Sequence, residues 1–593
     1  MFCSLETRAS ALNRISQKRL GEMLNKIPGL KDFIIDPVLI KPLERIIGVS
    51  QLRFHGIDKI FKLDYGSTIP TTNSQVVYFV QSDLVTAKHI CDQINAQLRN
   101  TNNPSFHIIL IPQKLISISN LLEEEGVLGH VTLYGFQWEM IQFDGNILSL
   151  QLDSFYRKTF LDQDQLFLPC VARSIWGLQM LYGKPSMTFL QGKHAAVVDQ
   201  QMDVLFESYG EPEKDLSDIS CFVVVDRDID YPSVLLTPGT YTSLLHEVFG
   251  IKSGVLDFSL ESQNKTRGGR LLSSGEEIYS QIKHKHFSDV FGFLSKVAKN
   301  LQELKPTANM NVADLKRNTQ ELPNALALKS SLAYHISACE GIIGKMGPRF
   351  ERTQAAEQRM LEGWGRKENI SYLEDCIAMK LGGKLSPLRL LCLQSVTQDG
   401  LTADEIHSLK VQYLHAYGYK HLTSFHNLDK LGLLTQHSSG DATAGVLSNA
   451  TAGALANKVA HAVSLPTRRS AFYSLAHKLK LFPTAKDDYD LKNPKDMSYV
   501  FNGAYIPLVC QIVHMLIKRE VVPEEVAKLV PNAKVKMDKP SDIGPRTFLV
   551  YFIGGVTYSE IAAFYLLEKL TGAQILVAGT SIMNGNFLIE SCL

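Results

Sequence analysis

The sequence predicts two α/β domains built on parallel sheets, the second of them discontinuous and interrupted by a large, mainly helical segment. Three observations predict this. Over the first 135 residues, short continuous apolar runs rich in β-formers alternate with amphipathic stretches, the pattern of a parallel sheet covered on both faces. Runs of the same kind return at 221–225, then not until 548–553 and 574–578. Between them, from about 233 to 490, the spacing of apolar residues is helical.

In chain order, DFIID at 32–36, VVYFV at 76–80 and FHIILI at 106–111 read as buried strands, with a helix over 86–98 between the last two. CFVVV at 221–225 is the next strand. In the helical middle, Phe287, Val290, Phe291, Leu294, Val297, Ala298 and Leu301 recur at three and four, one face of a helix. HLTSFHNLDKLGLLT at 421–435 has the helix-then-glycine pattern of a winged helix, with Leu428, Leu431 and Leu434 facing its core. FLVYFI at 548–553 and QILVA at 574–578 close the series as strands. Loops are expected at 261–274, at 305–311 and over 438–467, the last rich in Ala, Gly, Ser and Thr.

Composition narrows the function. A chain of 593 residues exceeds one core and suggests three or more units. Lysine and arginine total 61 against 60 acidic residues, without the basic excess that phosphate neutralisation demands of a nucleic-acid protein. The winged-helix-like stretch offers Lys420 and Lys430 against Asp429, too little for a DNA-reading face, so protein contact is expected there. The N-terminus MFCSLETRAS lacks the apolar core of a secretory signal, and no run reaches the roughly 20 apolar residues of a membrane span. The nine cysteines form no CxxC pair, which argues for reduced thiols in a cytosolic protein and against a zinc knuckle.

Fragments that imitate catalytic motifs fall short. His246 and Glu247 begin like a zinc-protease helix, but Gly250 stands where the second histidine belongs. Residues 177–186 approximate a phosphate loop with the wrong glycine spacing, and Pro185 stands in place of the magnesium-binding hydroxyl. Gly382, Gly383 and Lys384 are followed by Leu385 and fail as well. The pairs His284/His286 and His421/His426 lack a third ligand nearby.

Two elements keep two readings each. In FLVYFIGGVTYSE, Gly554 and Gly555 stand between a strand and a helix, where backbone N–H groups can meet an anion. Alternatively Thr557 and Glu560 form a capping box and the glycines permit close packing, which the missing lysine favours. DRDIDYPS places Asp226, Asp228 and Asp230 at a strand end, where two aspartates spaced by one residue could hold magnesium with a substrate phosphate, or Arg227 could pair with a carboxylate and lock a joint between domains. The joint is preferred, because no phosphate-binding motif accompanies the acids.

Read whole, DRDIDYPSVLLTPGTYTSLLHEVFGI at 226–251 resembles the signature of the Sec/Munc family of SNARE-binding proteins. MSYVFNGAYIPLVCQIV at 497–513 and FIGGVTYSEIAA at 552–563 supply two more family elements in the right order. HFSDVFGFLSKVAKNLQ from His286, LLEEEG from Leu121 and LKVQYLHAYGYKHLTSFHNLDKLGLL from Leu409 resemble its class C vacuolar protein sorting branch. The segment at His286 favours B-type over A-type members.

The resemblance implies a three-domain arch. Domain 1 is 1–134, domain 2 combines 135–232 with 496–593, and domain 3 is 233–495, with the winged-helix-like part near 400–440. Asp226, Arg227, Asp230, Gly554 and Gly555 become structural signature positions. The implied role is non-catalytic and without a cofactor: regulating fusion on the endosomal and lysosomal route by gripping SNARE helices between domains 1 and 3. The implied contact is a hairpin around Pro306 that carries Leu315, Lys316 and Thr319. Lys410, Tyr419 and Leu422 fall where an A-type relative docks a Vps-sixteen-like helical solenoid, unless Tyr419 and Leu422 pack inside their own unit. Rab-linked tether subunits are further expected partners, and the expected location is cytoplasmic, peripheral on late endosomes and lysosomes. The spacing before Thr237 and Pro238 departs from other relatives.

Overall fold

The structure is a computed structural model that describes residues 5–66, 69–99, 104–212, 217–257, 269–303, 312–347, 349–437, 470–483, 490–519, 521–537 and 547–593, with backbone alone at 5–7, 302–303 and 312–325. The first sheet is parallel and five-stranded: β1 (Lys31–Ile35), β2 (Ile57–Lys62), β3 (Gln75–Gln81), β4 (Ser105–Ile111) and β5 (Val131–Gly135), in the order β2-β1-β3-β4-β5.

Successive strand residues divide between two cores, as a period of two requires. Ile34, Val76, Tyr78 and Val80 pack beneath helices Leu84–Leu98 and Ile116–Glu124. Phe33, Ile35, Val77 and Phe79 face the other way, into the main core, together with helix Leu5–Asn25. Because both faces are covered, the inner strands read as largely apolar runs in the sequence. β2, at the edge, is mostly exposed, and its IDKIFK carries no such signal.

The second sheet has seven strands. β6 (Ile141–Asp144), β7 (Ile147–Ser149), β8 (Met187–Gln191) and β9 (Cys221–Asp226) come before the helical segment. Early in that segment, after helix Tyr241–Phe249, comes a small antiparallel sheet of β10 (Ile251–Lys252), β11 (Val255–Leu256) and β12 (Arg270–Leu271). β13 (Ala533–Met537), β14 (Thr547–Ile553) and β15 (Gln574–Gly579) return to complete the order β13-β8-β9-β14-β15-β7-β6. The five inner strands are parallel, while both edge pairs are antiparallel, a departure from the purely parallel expectation. β13 escapes sequence reading because AKVKM is lysine-rich and half-solvated, the way edge strands resist further pairing. The small sheet escapes it because two-residue strands are too short to show a period.

β9 and β14 are neighbours in space although the whole helical segment separates them in sequence. Within that segment, helix Phe287–Glu303 buries Val290 and Leu294 against Ala338, Cys339 and Ile342 of helix Val312–Met346. Phe291 corrects the sequence reading. It is 60% exposed, and Phe293 lies partly buried against this core in its place. The expected loop over 305–311 and most of 438–467 lie outside the described residues. The loop expected at 261–274 falls partly there, and its last residues include β12. Among the described residues, no helix is long and apolar enough to cross a membrane.

Candidate functional site

The chain leaves the second sheet at the end of β9 and re-enters it through 496–508, and the signature residues meet at that crossing. Asp226 is fully buried, and its carboxylate accepts the N–H groups of His194 (2.8 Å) and Ala195 (2.9 Å). It therefore occupies the N-terminus of helix Lys193–Tyr209, where a negative charge meets unsatisfied donors and the positive end of the helix dipole. Gly192 precedes that helix with φ +103°, and a Cβ there would lie 2.3 Å from the Asp226 carboxyl carbon.

Arg227 is equally buried. Its Nη1 donates to both Glu560 carboxylate oxygens at 2.8 Å, and its Nη2 donates to the Asp230 carbonyl at 2.7 Å. Glu560 also accepts the Thr557 N–H (2.9 Å), and its own N–H donates to the Thr557 hydroxyl (3.1 Å), the capping box read from the sequence. Burial pushes the Glu560 carboxyl above its ordinary value, against the pull of the Arg227 charge.

Asp230 joins the outgoing and returning chain. It accepts the Ser233 N–H (3.1 Å) and hydroxyl (2.6 Å) on the way out, and the Tyr505 hydroxyl (3.1 Å) and Leu508 N–H (2.8 Å) on the way back. Asp228, by contrast, is exposed.

The glycine turn is filled from within. Gly554 (φ +108°) donates its N–H to the Thr580 hydroxyl (3.0 Å), and a Cβ on it would lie 2.8 Å from both Arg227 and Phe160. A Cβ on Gly555 (φ +118°) would lie 2.9 Å from the Ser581 hydroxyl and the Met583 sulfur. The Val556 N–H goes to the Ser581 carbonyl (3.1 Å), so the anion at this helix start is the chain's own Glu560.

A second layer of the joint went unread in the sequence. Glu357, on helix Arg349–Glu362, is buried and accepts the Thr237 N–H (3.1 and 3.0 Å) and hydroxyl (2.6 Å). Burial pushes its carboxyl up to about 7, and the nearby Arg389 pulls the other way. Arg389 itself pairs with Glu247 and donates to the Leu235 and Leu236 carbonyls. The zinc-protease-like HEVFG is thereby taken apart: Glu247 holds Arg389, and burial lowers the His246 imidazole to about 4. Residues 177–182 continue helix Leu168–Tyr182, with no loop at Gly177. Among the described residues, no group of three His, Cys, Asp or Glu is placed to hold a metal ion.

The other expected surface has the opposite character. Helix Ala403–Tyr417 begins at a Thr402/Glu405 capping box, ends at Gly418 (φ +104°) and is followed by helix Leu422–Lys430. Tyr413, Phe425, Leu428 and Leu434 fill the unit's core, and Leu431 is half-buried. Tyr419 is 68% exposed and Leu422 50% exposed, so neither packs inside the unit. Lys410 is half-buried, with Nζ 5.8 Å from the Phe425 ring centre, and Val411 and His415 are exposed on the same helix.

Of the third expected surface less is described. Pro306 lies outside the described residues. Leu315, Lys316 and Thr319 lie on the second helix of the Phe287–Glu303/Val312–Met346 pair, where the backbone alone is described.

Comparison with known proteins fits this arrangement. The chain belongs to the Sec1 family, whose model matches residues 31–591. It is 34% identical to vacuolar protein sorting-associated protein 33B of Rattus norvegicus, covering 98% of this chain and 97% of that protein. Identity to the 33A protein of the same species is 28%, with the same two coverages, so B-type likeness exceeds A-type as the segment at His286 indicated. The fold is shared with a solved structure described as the SM protein Vps45 in complex with the Qa SNARE Tlg2, at a TM-score of 0.60 and 14% identity, over 98% of this chain and 97% of that one.

Proposed function

We propose that this chain is a non-catalytic regulator of membrane docking and fusion in endosomal and lysosomal traffic. It grips SNARE helices and docks a Vps-sixteen-like helical-solenoid partner. The observation that carries the reading is the match to the Sec1 family over 31–591, in a chain whose signature acids, arginine and glycines are used up in holding the fold. The description of Vps45 as bound to a Qa SNARE supports a SNARE partner of the same class. In this reading the domains divide at 1–134, at 135–232 with 496–593, and at 233–495. The helix pair around Pro306, with Leu315, Lys316 and Thr319, forms one wall of the SNARE groove. Lys410, Tyr419 and Leu422 form the solenoid-binding surface, because a half-exposed leucine beside an exposed tyrosine is a ready anchor. Rab-linked tether subunits recruit the assembly to late endosomes and lysosomes from the cytoplasm.

The test uses purified full-length chain and a panel of fluorescently labelled Qa SNARE helices. At least one helix is expected to bind saturably, and Leu315→Asp/Thr319→Asp should weaken it tenfold or more. Absence of binding across the panel removes the SNARE reading. Binding that is indifferent to the double variant removes the groove.

A further inference from the structure

The second sheet carries a cavity remote from both expected surfaces. It lies between helices Leu168–Tyr182 and Lys193–Tyr209, over β8 and β9, with Lys536 of β13 at its edge, and its volume is about 560 Å³. That falls within the range of pockets that hold drug-sized ligands. Ile175, Met202, Phe206 and Phe222 give it an apolar floor.

Its rim is acidic, and among the described residues only part of it is neutralised. Asp199, Asp203 and Glu207 recur every fourth residue along one helix face, and Glu211 follows just past the helix end. Asp199 is paired with Lys536 at 2.6 Å and Glu211 with Lys184 at 3.7 Å. Lys184 is held further by the Phe206 ring, 5.6 Å away. Among the described residues, Asp203 and Glu207 between them have no cation.

A second feature points the same way. Gln179 lines the cavity at 7% exposure, and among the described residues its side-chain oxygen meets no hydrogen-bond donor. Native interiors seldom leave a buried acceptor unpaired, and a donor from another molecule can satisfy such a group.

Among the described residues, the cavity therefore offers an acceptor without a donor, two carboxylates without a cation and an apolar floor. A ligand that satisfies all three is cationic, carries several N–H donors and has an apolar body. The acidic row from Asp199 to Glu207 spans eight residues of that helix, or about 12 Å along its axis. That length matches about four residues of extended chain better than a compact amine.

We propose that this cavity binds a short basic and apolar peptide segment of a partner protein. An arginine of the segment donates to the Gln179 oxygen and faces Asp203 and Glu207, and a flanking aliphatic side chain covers Met202 and Phe222. Arginine suits the site better than lysine, since its planar fork can serve a carboxylate and an amide oxygen together.

Fluorescence anisotropy on the full-length chain tests this with an acetylated, amidated heptapeptide alternating arginine and leucine, against the same peptide with glutamate for arginine. The basic peptide is expected to bind saturably and to protect the amides of helices Leu168–Tyr182 and Lys193–Tyr209 from hydrogen exchange. Asp203→Asn/Glu207→Gln should weaken it at least tenfold. Both positions are exposed, so the double variant keeps the fold. Failure of the basic peptide to bind, equal binding of the acidic peptide, protection elsewhere in the chain, or unchanged affinity in the double variant each overturns the proposal.

Discussion

The crossing between β9 and the helical segment and the surface of helices Ala403–Tyr417 and Leu422–Lys430 both come from stretches that stand out in the sequence, yet they present opposite chemistry. At the crossing, charged groups are numerous and turned inward. The two terminal nitrogens of Arg227 donate to Glu560 and Asp230, and the carboxylates of Asp226 and Asp230 accept from three segments of the chain. On the outer unit the conspicuous residues are apolar and turned outward, with Tyr419 and Leu422 left without a cover. A buried charge whose partners are all internal holds the fold. An exposed aromatic on a well-packed helix pair is available to another molecule. The comparison predicts that substitutions at the crossing act on stability and substitutions on the outer unit act on binding.

The largest effect is expected at the crossing. Arg227→Ala leaves Glu560 buried beside an empty space, and removing one member of a buried pair typically costs about 3–5 kcal/mol. Hydrogen exchange of the β9 and β14 amides should rise together, whereas unchanged exchange would remove Arg227 from the joint.

Glu357 gives a smaller, pH-dependent effect. Its carboxyl moves from an ordinary value of 4.5 up to about 7 through burial. Between those values the folded chain holds the proton that the unfolded chain has released. Stability from this group is therefore complete below about pH 4.5 and is lost as pH rises through 7, by roughly 3 kcal/mol. In Glu357→Gln that component of the slope should vanish in urea titrations run from pH 5 to 8. A variant with the wild-type slope would mean that another group titrates there.

Gly554→Ala comes next. The new methyl would lie 2.8 Å from both Arg227 and Phe160 at a φ of +108°, and a cost of about 1–3 kcal/mol follows from the strain. A melting temperature equal to wild type would show that the turn has room to spare.

The sequence made the two regions unequally legible. The inner strands at 76–80, 106–111, 221–225 and 548–553 announce themselves because burial on both faces leaves them apolar almost throughout, with His107 the exception. β2 and β13 are hidden by the solvent they face. The Thr557/Glu560 capping box is local and therefore readable, but the partner of Arg227 is 333 residues away and no spacing rule reaches it. Glu357 is hidden for the same reason: a lone glutamate on a polar helix looks solvated until Thr237 is brought to it. Lys410, Tyr419 and Leu422 were reached through family resemblance, since periodicity alone places Tyr419 and Leu422 inside their unit as readily as outside it. Phe291 shows that ambiguity resolved against the pattern: it fits the apolar helix face yet is turned to solvent.

Tyr419→Asp should have the smallest effect on stability, within about 0.5 kcal/mol, because the side chain is 68% exposed. The most direct test of the binding reading uses that variant: affinity isolation of wild type and Tyr419→Asp from cytosol, with mass spectrometry of the partners and thermal melting of both proteins. The account predicts that a Vps-sixteen-like solenoid copurifies with wild type and is lost from the variant while the melting temperatures agree. Capture of no such solenoid by wild type, or its full retention by the variant, would contradict it.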